Sequence, residues 1–319
     1  MYIAQAYKFK HDVWRYVVGT IIIFLIGWQL LGTIPLTIVS FLEAGSLSEF
    51  LSAGEESSFA SLFPPKSNLY LLLILLTFIG GFISLIFVIK YIHKQTLTQL
   101  TTSRKKIDWG RFFFGFGLIA TLSIVTTVLD FYSNPENYVV QFELIPFLIM
   151  LVIVVTLIPI QTSFEEYFFR GYLMQGIGIA AKNKWVPLLI TSVIFGGLHF
   201  FNPEVEKIGN IAMVYYIGTG FFLGIITLMD EGMEISLGFH AGTNLIIALL
   251  VTSDWTVFQT NSILLDLSDP GAGIEVVLPV FILYPILLAI MAWKYKWTHW
   301  REKLFGKISP PDALGTLKE

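Results

Sequence analysis

Six polar side chains fall where apolar sequence surrounds them: Glu165, Glu166, Arg170, His199, His240 and the amide Asn244. Ionisable groups inside apolar, membrane-length stretches are costly, rare and functional by default, so chemistry is to be sought here first. The other three histidines, His11, His93 and His299, lie at or beyond the ends of such stretches. Zero cysteines remove a thiol nucleophile, thiolate zinc, iron–sulfur ligation and any disulfide framework. Catalysis in this chain has carboxylate, imidazole and amide groups to work with.

Spacing sorts the six. Glu166 and Arg170 are four apart, on one helical face, with the acid N-terminal to the base, the favourable order for an ion pair; on the blander reading they only neutralise each other. Glu165 points about 100° away from Glu166 and needs a different partner, whether histidine, metal or water. His199 closes Phe195-Gly196-Gly197-Leu198-His199, where two glycines allow another backbone to approach closely; alone it reads as a hydrogen-bonded packing histidine. His240 and Asn244 are again four apart and, alone, could form an interhelical hydrogen-bonding station. Three separate stretches that carry such groups, with almost none elsewhere, point to one shared functional site.

The elements that must hold this site are apolar. The 319-residue chain is 55% hydrophobic and only 13% charged, with a mean hydropathy of +0.72, which makes it an integral membrane protein. Apolar stretches lie near residues 16-41, 69-92, 112-129, 144-179, 186-201, 211-228, 235-251 and 276-293, eight in all. The first follows Lys8, Lys10 and Arg15 but far exceeds a signal h-region of roughly 7–15 residues, so it reads as a retained helix. The connections at 42-68 and 93-111 are too short for a second domain, and no internal repeat is visible. The expectation is one all-α polytopic membrane domain over 1-319, a bundle of about eight transmembrane helices with an intramembrane active site, and a core at 145-250 carrying the six polar residues.

Depth tests whether they can meet. Counted from a common edge near residues 180 and 185, Glu165 and His199 both lie about 21–23 Å deep at 1.5 Å per residue. His240 lies closer to the edge at which its own stretch begins, so it fits only if that helix tilts or starts lower. The stretch 144-179 is too long to cross straight, which predicts a kink near Pro159 or a strong tilt.

Charge orients the bundle. With both termini inside, 17 of the 20 Lys and Arg fall on inside segments, Lys66 and Lys207 fall outside, and Arg170 is within a span. Outside loops hold 13 of the 23 acids, including Glu55, Glu56, Asp266 and Asp269. That Lys/Arg bias predicts cytoplasmic N- and C-termini, in the plasma membrane if the source is bacterial. A net charge of -3 and the lack of a basic face exclude nucleic acid as a partner.

Taken together, Glu165-Glu166-Tyr167-Phe168-Phe169-Arg170 as E-E-x-x-x-R, Phe195 to His199 as F-x-x-x-H, and His240 to Asn244 as H-x-x-x-N resemble the three motifs of the CPBP intramembrane proteases. That family includes the Ras-converting type II CAAX prenyl endopeptidases and bacterial bacteriocin-processing or immunity (Abi) proteins. The resemblance implies hydrolysis of a peptide bond in a membrane-associated peptide or protein, with Glu165 and His199 activating water, His240 and Asn244 stabilising the oxyanion, and Glu166 and Arg170 as structural support. A divalent metal such as zinc, held by Glu165, His199 and His240, is an alternative source of the hydroxide. No H-E-x-x-H, G-x-S-x-G or intramembrane aspartate pair offers another protease chemistry. Two further classes of function stand beside hydrolysis: a non-proteolytic scaffold or bacteriocin-immunity factor, and a proton-coupled transporter, which would need more intramembrane acids than these.

Overall fold

The computed structural model describes residues 1–271 and 273–310, and of Glu56 and Ser57 the backbone alone. Lys318, counted among the inner cations, and the side chain of Glu56, counted among the outer acids, lie outside the described residues. The protein is largely helical. Among the described residues, six apolar helices are long enough to cross a membrane: α1 (Val13–Glu43), α2 (Asn68–His93), α3 (Trp109–Ser133), α4 (Leu144–Ala181), α6 (Ala212–Asp230) and α8 (Ile274–Tyr295). The other two apolar helices, α5 (Trp185–Gly197) and α7 (Glu234–Leu250), have 13 and 17 residues. At 1.5 Å per residue they reach about 20 and 26 Å, short of the roughly 30 Å hydrocarbon layer. All eight apolar stretches contain helix, and six of these helices, among the described residues, reach crossing length. The apolar run of 186–201 leaves the helix at Gly197, where tight turns (His199 N–H to Gly196 C=O, Phe200 N–H to Gly197 C=O) lead into Asn202-Pro203.

Small residues set the closest approaches. A Cβ at Gly238 of α7 would collide with the Phe112 carbonyl of α3, and one at Gly115 of α3 with the Ile235 carbonyl of α7, so these two backbones touch through glycine. Around α4, Phe164, Phe168 and Phe169 are buried with Tyr16, Ile23, Phe78 and Phe195, making an aromatic core that fixes the rotation of the helix carrying three of the six polar residues.

The ends of the bundle differ. At one end the N-terminal segment meets the 94–108 connection, residues 182–184, the α6–α7 turn and the 299–308 segment: Lys10 N–H bonds His93 C=O, Ser103 N–H bonds Glu231 C=O, and Ile308 N–H bonds Lys182 C=O. Asp230 and Glu234, 4% and 0% exposed, anchor this end. Asp230 accepts hydrogen bonds from Arg104 Nη2 (2.9 Å), Trp297 Nε1 (3.1 Å) and Arg111 Nη1, while Glu234 accepts from Arg104 Nη1 (3.1 Å). At the opposite end lies a small sheet of β1 (Tyr138–Val140), β2 (Val251–Ser253) and β3 (Leu264–Asp266), in the order β1-β3-β2, with β1 antiparallel and β2 parallel to β3. An all-α reading did not anticipate it, because three-residue strands are too short to show alternation.

Candidate active site

Helix α4 runs as a regular α-helix through Glu166 and then widens into a π-helical turn over Tyr167–Leu173, the segment that contains Arg170. Arg170 and Glu166 are both fully buried, and Arg170 Nη1 donates to Glu166 Oε1 at 3.0 Å. The expected neutralising pair is present, but it is part of a larger arrangement. The same Glu166 Oε1 also faces His240 Nδ1 at 2.8 Å, Arg170 Nη2 donates to the Gly220 carbonyl of α6 at 3.3 Å, and the guanidinium lies 4.1 Å from the centroid of the Phe195 ring. One ion pair on α4 thus holds α5, α6 and α7 at a common level.

Glu165 has no arginine. Its Oε1 accepts from Gln161 Nε2 at 2.7 Å, and its Oε2 lies 3.5 Å from His240 Nε2, a contact at the limit of a hydrogen bond. Gln161 Oε1 in turn accepts from Asn244 Nδ2 at 3.2 Å, so an amide relay joins Asn244 to Glu165. The imidazole of His240 sits between the two carboxylates, despite the shallower position that residue counting gave it.

His199 lies one turn beyond α5. Its Nδ1 is 2.8 Å from the Phe195 carbonyl, which can only accept, so the proton is on Nδ1 and Nε2 presents a lone pair. The ring stacks on Tyr216 of α6 at a 4.4 Å centroid distance and 19° interplanar angle, with Phe195 5.0 Å away on another side. Gly196 does admit a neighbouring backbone, since a Cβ there would press on Ile217, whereas Gly197 faces open space.

Glu165, His199, His240 and Asn244 line one cavity of about 700 Å³, walled by apolar and aromatic side chains such as Trp28, Phe78 and Phe169 and extending to the sheet end through Glu204, Trp255 and Asp266. Glu166 and Arg170 stand behind its wall. Two members were missed in the sequence. Gln161 is four residues before Glu165 on the same face, a signal available to a search of amides as well as ions. Tyr216 acts by stacking, which leaves no mark in spacing. Of the three candidate metal ligands, His240 has a carboxylate at each nitrogen and His199 presents Nε2 with Nδ1 on a carbonyl, and no group of three His, Asp or Glu placed to hold a metal occurs among the described residues.

Residues 143–246, about a third of the chain and the part that holds all six polar residues, match the family described as type II CAAX prenyl endopeptidase Rce1-like. Over this segment the chain is similar to the Rce1-like, CPBP-type CAAX proteases. A protein of Bacillus subtilis (strain 168) described as uncharacterized protein YyaK is 36% identical over 171 residues, and the matched part spans 53% of this chain and 57% of that protein. No solved structure matches.

Proposed function

We propose that this protein is an intramembrane endopeptidase that hydrolyses a peptide bond of a membrane-associated peptide or protein with a water activated by Glu165 and His199. The observation that carries the reading is the unequal treatment of two adjacent carboxylates: Glu166 is consumed by Arg170, while Glu165 lines a cavity and meets only neutral or titratable partners. Glu165 takes the proton of the water, and Nε2 of His199, left as an acceptor by its Nδ1 bond, orients the same water for attack on the scissile carbonyl. Asn244 spends one of its two amide N–H groups on Gln161 and keeps the other for the developing oxyanion. His240 contributes an Nε2–H to the oxyanion when its ring carries both protons, a charge that Glu166 on one side and Glu165 on the other would face. The leaving amine then receives the proton from Glu165. Residues 145–250 would form the catalytic core of a single membrane domain, with the end that gathers the N-terminal segment and residues 299–308 in the cytoplasm and the sheet end outside.

The test is hydrolysis in oxygen-18 water by the purified protein in liposomes, fed a mixed membrane-peptide fraction. New carboxyl termini carrying the heavy isotope are expected with the wild type and with chelator present, and are expected to vanish in Glu165→Gln and His199→Ala. Activity that disappears together with stoichiometric zinc in Glu165→Ala and His199→Ala would overturn direct water activation. Proton or solute flux without new termini would replace hydrolysis by transport.

A further inference from the structure

The part of the cavity remote from Glu165 contains chemistry that hydrolysis does not use. Glu204 follows the turn after His199, in the short helix Pro203–Ile208, and lines the cavity. Its Oε1 accepts the Val257 N–H at 2.9 Å, which ties this helix to the loop after β2, but its Oε2 is buried without a hydrogen-bond partner. Trp255, on that same loop and also in the cavity wall, has a buried Nε1–H without a partner. A buried polar atom left unmatched is unfavourable, and a complementary ligand removes that cost. One unfilled acceptor and one unfilled donor, on two loops joined by the Glu204–Val257 bond, match the pairing capacity of a peptide residue.

The sign of the missing partner follows from the wall. The charged residues lining the cavity are Glu165, Glu204 and Asp266, and no Lys or Arg is among them. Of the two cations assigned to this end of the bundle, Lys207 is paired with Asp269 at 3.0 Å and Lys66 donates to Gln141 at 2.8 Å. Burial holds the Glu204 carboxyl above the ordinary carboxylate range, opposed only by backbone hydrogen bonds, the Val257 N–H foremost, with no cation to offset it.

Resting on the proteolytic reading for the identity of the ligand as a peptide, we propose that Glu204 is a specificity-determining residue that receives an ammonium or guanidinium group of the bound peptide, with Trp255 Nε1 donating to a carbonyl of the same segment. The cation can be a lysine or arginine side chain, or the α-ammonium group of a peptide that begins in the cavity. A neutral peptide in the same register could meet Oε2 with a backbone N–H but would leave its negative charge unmatched.

The experiment measures binding rather than cleavage, so that it reads out whether or not the bond is hydrolysed. Full-length protein carrying Glu165→Gln, in nanodiscs, is titrated with a C-terminally labelled, leucine- and alanine-rich peptide bearing a single lysine, norleucine or glutamate, each with a free or acetylated N-terminus. The acetylated lysine peptide is expected to bind about tenfold or more tightly than the norleucine one, as befits a charge-assisted hydrogen bond, with glutamate weakest. A preference shown only by free N-termini would assign the cation to the α-ammonium group. Adding Glu204→Gln, which keeps an acceptor for Val257 N–H, is expected to erase the preference. Equal binding of all peptides to the parent protein, a result that needs no second variant to fold, overturns the proposal, and so does a preference that survives Glu204→Gln. Failure of hydrolysis by the wild type, with the binding preference intact, would instead count against the proteolytic reading.

Discussion

Two groups of buried carboxylates sit in this bundle, and they are satisfied in opposite ways. At the end that gathers the N-terminal segment and residues 299–308, Asp230 and Glu234 are met by Arg104, Arg111 and the Trp297 indole, so each acid has a cation within hydrogen-bonding distance. In the interior, Glu166 is matched in the same manner by Arg170, but the adjacent Glu165 is left to Gln161 and the edge of His240. Asp230 and Glu234 hold connections together. Glu165 is also buried but lacks the neutralisation, and of these four acids it is the one that lines the cavity. Arg170 is spent on Glu166, so the adjacent Glu165 is the carboxylate left to neutral or titratable partners.

If this contrast is right, charge removal should hurt stability where carboxylates are paired and hurt chemistry where one is not. The largest stability effect is expected from Arg170→Met, which strands Glu166 in a fully buried position beside His240. Breaking such a pair from one side costs about 3–5 kcal/mol. Denaturant unfolding in micelles should show it, and a midpoint equal to the wild type would mean that the pair does not hold the helices. Arg104→Ala comes next. It removes the only arginine on Glu234 and one of two on Asp230, at a site where Arg104 is itself about a quarter exposed. The expected loss is about 1–3 kcal/mol, with the turnover of the folded fraction unchanged. A drop in turnover without a drop in stability would erase the distinction between the two regions.

Tyr216 sharpens the comparison on the chemical side with a smaller effect. Tyr216→Phe preserves the face stacked on His199, and turnover should stay within about twofold of wild type. Tyr216→Leu gives up a ring–ring contact worth about 1 kcal/mol, for a loss of about fivefold, while the midpoint of unfolding moves little. Equal losses in both variants would shift the role from the ring to the hydroxyl.

What could be read without coordinates follows from what leaves a trace in a one-dimensional pattern. Charges inside apolar stretches stand out, so Glu165, Glu166, Arg170, His199 and His240 were all visible, and the i,i+4 spacing correctly paired Glu166 with Arg170. The bond from Glu166 to His240 could not be read, since it depends on how α7 packs through Gly238 and Gly115 onto α3. The pairing of Asp230 and Glu234 left no trace in spacing, because Arg104 and Arg111 are more than a hundred residues away in the chain. The length of α5 was overread for a related reason: hydropathy continues through Phe200 and Phe201, but the backbone has already turned at the glycines.

The claim that Glu165 is the base is tested most directly by mapping new protein N-termini, by mass spectrometry, in membranes of cells that produce the wild type, Glu165→Gln or Asp230→Asn at equal levels. Glu165→Gln keeps the acceptor for Gln161 and loses only basicity, so termini made by the wild type and by Asp230→Asn should be absent or reduced by about 10²–10⁴-fold. The same set of termini at wild-type abundance in Glu165→Gln cells would contradict the account.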